Sequence, residues 1–262
     1  MKIAILGSGN VATHLSKALV QAGYPISQVW SRKYQNAQNL ALEIASVAIA
    51  NIQDISESVN VIFLAVSDDV IETVAHQIPN LPNRLIIHTS GSTDIQLLQQ
   101  FSNHVAVLYP LQSFSKNSIL DFKKVPLFIE YSSDLAQERI SKLAHQLSDH
   151  VQHANSETRI LLHISAVFAC NFTNHLYTIA QHILAEKNLD FNLIRPLIAE
   201  TANKIIEHLP SEMQTGPASR NDEMITNKHV QMLEIYPHWQ KIYQSISQDI
   251  VKIYQAKQAD HK

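Results

Sequence analysis

The sequence lacks the features that mark a small secreted protein or a membrane protein. Its 262 residues include a single cysteine, Cys170, so no disulfide can form within the chain, and we expect a reducing, cytoplasmic environment. No stretch of 18 apolar residues occurs, which argues against a membrane span. The first residues already form a predicted strand, so we expect no signal peptide. The net charge of −3 argues against a general nucleic-acid-binding protein.

Metal-ligand spacings, repeats and low-complexity segments are also missing. The 14 histidines are scattered, and no pair stands at a convincing spacing from carboxylates or from Cys170, so we expect no metal site. Apolar residues make up 45% of the chain, enough for a sizeable core. At this length, two domains are expected rather than one.

The strongest pattern lies in the first 32 residues. Residues 2–6 predict a buried strand, residues 7–12 read Gly-Ser-Gly-Asn-Val-Ala, and an amphipathic helix is predicted from Val11. A strand, a G-x-G-x-x-A turn and a helix in this order are the context of a dinucleotide-binding fingerprint. Gly7 would permit the tight turn, and Gly9 would let a pyrophosphate approach the N-terminus of the helix. The predicted pyrophosphate contacts are Gly7, Ser8, Gly9, Asn10 and Val11. The alternative is a glycine turn that binds no nucleotide.

The tip of the second predicted strand favours one cofactor over another. NAD-binding proteins usually carry an acidic residue there, whereas this chain has Ser31, Arg32 and Lys33, with no acid before Glu43. A hydroxyl and a guanidinium suit a 2′-phosphate. We therefore predict that Ser31 and Arg32 bind NADP(H), with NAD less favoured. A solvated loop is the alternative interpretation of Arg32 and Lys33.

Strand and helix patterns alternate over the first 150 residues and then give way to helix alone. The alternation predicts an α/β fold, a Rossmann-type, doubly wound and mainly parallel sheet, and the later pattern predicts an all-α C-terminal domain. We place a nucleotide-binding domain at residues 1–153 and a helical substrate and dimerisation domain at 154–262. The apolar faces of the C-terminal helices exceed the needs of one small bundle, so we expect a homodimer through that domain.

Ligands of open α/β sheets bind beyond the carboxyl ends of the strands. This rule predicts further cofactor contacts at Ala65, Val66 and Thr89. The turn at Ser90 and Gly91 could bind a substrate carboxylate or carbonyl through backbone N–H groups. A helix-capping turn is the alternative at each position.

A polar stripe marks the long helical pattern over residues 155–186. At 100° per residue, His163, Asn171 and Asn174 share one face of a mainly apolar helix. We predict these three as catalytic residues, with His163 as the general acid or base, because histidine exchanges a proton near neutral pH. A structural histidine is the alternative. Within residues 215–222, Arg220 could bind an anionic substrate, or the segment could be a capped loop between helices.

Four segments together carry a family resemblance: residues 7–12, 109–115 (YPLQSFS), 166–175 (AVFACNFTNH), and 215–218 (TGPA) with Arg220 and Asp222. Over nearly the whole chain, the sequence resembles bacterial Rossmann-like NADP oxidoreductases with a C-terminal helical domain of unknown function. Their layout is similar to that of pyrroline-5-carboxylate reductases and of 3-hydroxyacid and 6-phosphogluconate dehydrogenases. The resemblance implies a helical domain that completes the active site and usually the dimer.

One departure from the dehydrogenase pattern affects the expected reaction. The hydroxyacid dehydrogenases carry a catalytic lysine one turn before a helical asparagine. If Asn171 is that asparagine, the lysine position is Val167, which can transfer no proton. The leading hypothesis is an NADP(H)-dependent oxidoreductase of a small polar metabolite, with His163 as the proton donor. The alternative, motivated by Val167, is a non-catalytic dinucleotide-binding regulator or scaffold.

Overall fold

The computed structural model describes residues 1–80, 83–116 and 119–260, with side chains through residue 254. The chain forms two compact units, residues 1–172 and 173–262. Among the described residues, no helix combines the length and the apolar composition of a membrane span.

The first unit is built on one eight-stranded sheet. Its strands are β1 (Ile3–Leu6), β2 (Ile26–Trp30), β3 (Val47–Ile49), β4 (Val61–Leu64), β5 (Leu85–His88), β6 (His104–Pro110), β7 (Leu127–Tyr131) and β8 (Val151–His153). Their spatial order is β3-β2-β1-β4-β5-β6-β7-β8, and every neighbouring pair is parallel except β6 and β7. The first six strands follow the order of a dinucleotide-binding sheet. The predicted α/β Rossmann-type fold is therefore confirmed.

Helices cover both faces of the sheet. They are α1 (Asn10–Gln21), α2 (Tyr34–Glu43), α3 (Ile71–Ala75), α4 (Gln96–Gln99) and α5 (Asp134–Leu147). Side chains alternate along β1: Ile3 and Ile5 pack with α1, α2 and α5, whereas Ala4 and Leu6 pack with α3 and α4. Burial on both faces explains why the central strands are continuous apolar runs.

The long helical pattern after β8 is divided into three parts. They are α6 (Ser156–Ala166), a π-helical segment (Val167–Phe172) and α7 (Thr173–Ala185). A π segment has i→i+5 hydrogen bonds, so residues that follow it no longer keep the 100° phase of the residues before it. The first compact unit includes α6 and the π segment, and the predicted domain boundary after residue 153 stays a prediction.

The second unit is helical over its described residues. After α7 it contains α8 (Arg195–Glu207), α9 (Pro210–Met213), α10 (Glu223–Met232) and α11 (Pro237–Asp260). Asn221 lies in the left-handed region at φ 52°, and Asp222 caps α10 by accepting a hydrogen bond from the Ile225 N–H. The segment 215–222 is thus a capped turn between helices, and Arg220 on it is exposed.

Candidate functional site

Gly7 allows the end of β1 to approach β4 closely. Its φ is +132°, and a Cβ at this position would lie 2.0 Å from the carbonyl oxygen of Ala65. Its N–H donates to the Trp30 carbonyl at 2.8 Å, which ties the turn to the end of β2. Only glycine fits this backbone without displacing the neighbouring strand.

The position that a Cβ of Gly9 would occupy is open, whereas the same position at Gly7 is filled by the end of β4. Its φ of −74° is ordinary for any residue, and a Cβ built on it has no heavy atom within 4 Å. Gly9 is the N-cap of α1, and its carbonyl accepts the Thr13 N–H at 2.9 Å. The first N–H groups of a helix have no partner within it. The turn therefore presents donors and a positive dipole end to the space above Gly9.

A cleft of about 790 Å³ opens at this point, beyond the carboxyl ends of β1, β2, β4 and β5. All ten residues predicted to contact the cofactor line it: the five of the glycine turn, together with Ser31, Arg32, Ala65, Val66 and Thr89. Its size is that of a cofactor site. The ten residues follow the ends of four different strands, and each is predicted from the sequence around its own strand end.

The charge on the wall of the cleft is mainly positive near β2. Arg32, Lys33 and Lys116 line the cleft, and Asp68 lines it at the end of β4. The Ser8 and Ser31 hydroxyls hydrogen bond at 2.7 Å, which joins the glycine turn to the end of β2. Sequence reasoning missed Lys116, because it lies 84 residues after Arg32 in the chain and no local pattern relates the two.

Tyr109 at the end of β6 pairs with the predicted proton donor. Its hydroxyl lies 3.1 Å from Nδ1 of His163, in α6. Tyr109 is 8% exposed, and its ring fits against Gly91, where a Cβ would lie 2.6 Å from the ring. Burial, reinforced by the negative charge of Asp68, raises the pKa of Tyr109. The phenol therefore stays protonated at neutral pH, and its hydroxyl can donate a hydrogen bond to Nδ1 of His163 or accept one from Nδ1–H.

The turn after β5 is internally hydrogen bonded. The Ser90 hydroxyl accepts hydrogen bonds from the N–H groups of Ser92 and Thr93 at 3.1 and 2.9 Å, and the Ser92 hydroxyl donates a hydrogen bond to the Asp68 carboxylate at 2.5 Å. Ser90 and Gly91 are both buried. These contacts give both residues a structural role in supporting the ends of β4 and β6, and their predicted contact with substrate stays a prediction.

A buried ion pair fixes α6 to the sheet. Arg159 is fully buried and donates to the Glu130 carboxylate of β7 and, at 2.6 Å, to the Thr93 carbonyl. His163 follows Arg159 by four residues and so lies on the same face of the helix. The ion pair therefore sets the position of the His163 ring near Tyr109.

Arg159 also affects a second histidine at the end of β5. His88 is fully buried, and its Nδ1 accepts the Ser90 N–H at 3.2 Å. Burial first, and the Arg159 charge second, lower the pKa of His88 to about 3. His88 is consequently neutral at physiological pH and serves as a hydrogen-bond acceptor rather than as an acid.

The remaining predicted residues, like His163, Ser90 and Gly91, are not among the residues that line the cleft. Asn171 is exposed in the π segment of the first unit, whereas Asn174 and Arg220 are exposed residues of the second unit. The expected common face of His163 and the two asparagines assumed a regular α-helix, and the π segment changes that phase. Their catalytic and substrate contacts stay predictions.

Comparison with known protein families agrees with this geometry. Residues 2–91 match the family described as NADP oxidoreductase, coenzyme F420-dependent, and residues 125–250 match DUF2520, a domain of unknown function. BF3122 of Bacteroides fragilis, assigned as an NADP oxidoreductase, is 36% identical, with a TM-score of 0.88 over 96% of this chain and 98% of its own. The chain belongs to this family of NADP oxidoreductases. The family resemblance that the sequence carries is thereby confirmed.

More distant structures share the fold. TM1727 from Thermotoga maritima is 22% identical, with a TM-score of 0.73 over 98% of this chain and 99% of its own. The 1-pyrroline-5-carboxylate reductase of Streptococcus pyogenes is 13% identical, with a TM-score of 0.62 over 96% of this chain and 98% of its own. At these identities the likeness is one of fold, and it confirms the predicted layout. No curated protein sequence matches the chain.

Proposed function

We propose that the protein is an NADP(H)-dependent oxidoreductase that acts on a small polar metabolite. The observation that carries the proposal is that the glycine turn, Ser31 and Arg32 all line the same cleft. NADP(H) is the cofactor that the family uses, and the cleft suits it in size and in charge. The open space above Gly9 leaves room for a pyrophosphate, and no acidic side chain from the end of β2 lines the cleft to oppose a 2′-phosphate.

The cofactor contacts follow from the positions of the lining residues. The backbone of residues 7–11 binds the pyrophosphate at the N-terminus of α1. Ser31 and Arg32 bind the 2′-phosphate, since a guanidinium makes paired hydrogen bonds to phosphate oxygens. Ala65, Val66 and Thr89, at the ends of β4 and β5, border the nicotinamide.

His163 is the proposed proton donor, and Tyr109 holds its ring. Bound NADPH supplies a hydride, and the reduced substrate then needs one proton on its nitrogen or oxygen atom. The Tyr109 oxygen can accept a hydrogen bond from Nδ1–H of the protonated His163 ring and again after Nε2 has given up its proton, so it keeps one ring orientation in both states. The Nε2 nitrogen is then the one that exchanges a proton with substrate. Tyr109 is in this scheme a positioning residue.

Substrate contacts are proposed at Ser90, Gly91, Asn171, Asn174 and Arg220. Support for the last three comes from the family resemblance, in which a helical domain completes the active site. We keep the proposed division into a nucleotide-binding domain, residues 1–153, and a helical domain, residues 154–262.

Exposed apolar side chains support the proposal of a homodimer through the helical domain. Within the described part of the second unit, exposures reach 66% at Leu197, 79% at Ile206 and 69% at Met232. Where such side chains adjoin, they form the apolar surface that usually marks an interaction site. A dimer by sedimentation at micromolar concentration is expected, and a monomer under those conditions would contradict the proposal. A cytoplasmic location is proposed from the free, exposed Cys170.

The test of the proposed function is steady-state oxidation of NADPH in the presence of imines, 2-ketoacids and aldehydes. We expect turnover with one of these classes, and a fall of about 100- to 10,000-fold in kcat for His163→Gln, the usual contribution of a general acid. Tyr109→Phe keeps the ring but removes the hydroxyl, so a smaller loss and an altered pH profile are expected. Turnover that is unchanged in His163→Gln would refute the assignment of the proton donor.

A further inference from the structure

Lys116 lies at the junction of two cavities. It lines the main cleft together with Arg32 and Lys33. It also lines an adjoining polar cavity of about 340 Å³ that borders α1 and α2, and Ser8 and Asn36 line both cavities as well. Its side chain therefore borders the same cleft as the end of β2, although the chain reaches this point only after β6.

The segment that carries Lys116 is fixed to α1. We call residues 113–116 the strap. Asn10 donates its side-chain N–H to the Phe114 carbonyl at 2.8 Å, and His14 Nε2 donates to the Ser115 carbonyl at 2.8 Å. The Phe114 ring packs on the core beneath α1 and stacks on Phe122 at 6.3 Å. These contacts hold the backbone of the strap across the first turns of α1, so the position of Lys116 is built into the fold.

The cations at this end of the cleft outnumber the anions. Arg32, Lys33 and Lys116 line the main cleft, and Asp68, its acidic lining residue, belongs to the end of β4. In the adjoining cavity, Lys17 is paired with Glu43 at 2.7 Å, so that pair is close to neutral. The N-terminus of α1 already offers N–H donors and a positive dipole end to a pyrophosphate, so the charge of Lys116 is available for another group. A third positive side chain on the wall of the cleft that Ser31 lines suits a further dianionic phosphate group.

We propose that Lys116 is a specificity-determining residue that binds the 2′-phosphate of NADP(H) together with Arg32. The inference rests on the proposed function and extends it, since it assigns part of the cofactor preference to the strap rather than to the end of β2 alone. The strap then performs two tasks: Phe114 and the two hydrogen bonds support the pyrophosphate-binding helix, and Lys116 recognises the phosphate that distinguishes the two cofactors.

The test is calorimetric titration of the full-length protein with NADPH and with NADH. For Lys116→Ala, we expect the Kd for NADPH to rise about 5- to 20-fold, the usual effect of one charge-assisted contact, and the Kd for NADH to change less than about twofold. Lys116→Arg retains the charge and should restore most of the affinity. Lys142→Ala, an exposed cation of α5 that lines neither cavity, is the matched control.

The contradicting outcomes are distinct from a failure of the proposed function. If the wild-type protein binds neither cofactor, the proposed function itself is wrong, and this inference with it. If the wild type binds NADPH but Lys116→Ala matches Lys142→Ala, only the role of Lys116 is refuted. An equal loss for NADPH and NADH would also refute it, because Lys116 would then contact a part that both cofactors share.

Discussion

Gly7 and Gly9 stand two residues apart in the first turn, yet a methyl group added at Gly7 should reduce stability, whereas one added at Gly9 should reduce affinity for the cofactor. In Gly9→Ala, the new Cβ enters open space at φ −74°. Replacing glycine by alanine at an N-cap destabilises the folded protein by some tenths of a kcal/mol to about 1 kcal/mol. Alanine also lowers the entropy of the unfolded chain, which stabilises the folded protein by about 0.4–1 kcal/mol and offsets this loss. We therefore expect the free energy of unfolding to change by less than about 1 kcal/mol.

The cofactor should respond much more strongly than the fold. The Cβ at Gly9 occupies the space through which a pyrophosphate would reach the N–H groups of α1. Hydrogen bonds to a charged group contribute about 1.5–3 kcal/mol each, so the loss of one or two gives about 2–4 kcal/mol, or about 30- to 1000-fold in Kd for NADPH. Calorimetric titration measures the affinity, and urea unfolding measures the stability.

Two further variants complete this experiment. In Gly7→Ala, the Cβ would lie 2.0 Å from the Ala65 oxygen at a φ of +132°, and we expect a loss of more than about 4 kcal/mol in stability. Gly23→Ala also has a positive φ, +82°, but meets open space outside the cleft, so it should lose a little stability and no affinity. Wild-type affinity for NADPH in a folded Gly9→Ala protein would refute the placement of the pyrophosphate.

Three further predictions concern the residues that support the site. Arg159→Met leaves the Glu130 carboxylate without its cationic partner, and urea unfolding should show a loss of about 3–5 kcal/mol, smaller when Glu130→Gln is added. Because the folded-state pKa of His88 lies below its unfolded value, its contribution to stability is complete above about pH 6.5 and is lost towards pH 3. As the pH is lowered from about 6.5 to 3, the free energy of unfolding should fall by about 1 kcal/mol per pH unit. The His88→Asn variant should lack this pH dependence. Gly91→Ala forces a Cβ against the Tyr109 ring and should cost about 1–3 kcal/mol by thermal unfolding and lower kcat, while an unchanged kcat would argue against the role of Tyr109.

The sequence was sufficient for the parts of the fold and cleft that depend on local patterns. Strong apolar runs and the G-x-G-x-x-A turn are visible within about a dozen residues, and the fold then brings the strand ends together at one edge. All ten predicted cofactor contacts line one cleft for that reason. The polar strand β8 was missed, because Gln152 and His153 give its three residues no apolar signal.

Other features depend on contacts between distant segments or on a change of helical period. The Tyr109 hydroxyl meets His163 across 54 residues, and Lys116 reaches the cleft because Phe114 packs beneath α1. Neither contact leaves a local pattern in the sequence. The π segment, residues 167–172, invalidates the regular 100° step on which the shared face of His163 and Asn171 depended. Nothing in a count of apolar positions predicts such a change of period.

The most direct test of the central claim is the relative affinity of the wild-type protein for NADPH and NADH, measured by calorimetry beside Arg32→Ala. If the cleft binds the 2′-phosphate through Arg32, NADPH should bind at least about 10-fold more tightly than NADH, since a bidentate charge-assisted contact contributes more than about 1.4 kcal/mol. Arg32→Ala should remove most of that difference by weakening NADPH alone. Equal affinity of the wild type for the two cofactors would contradict the account.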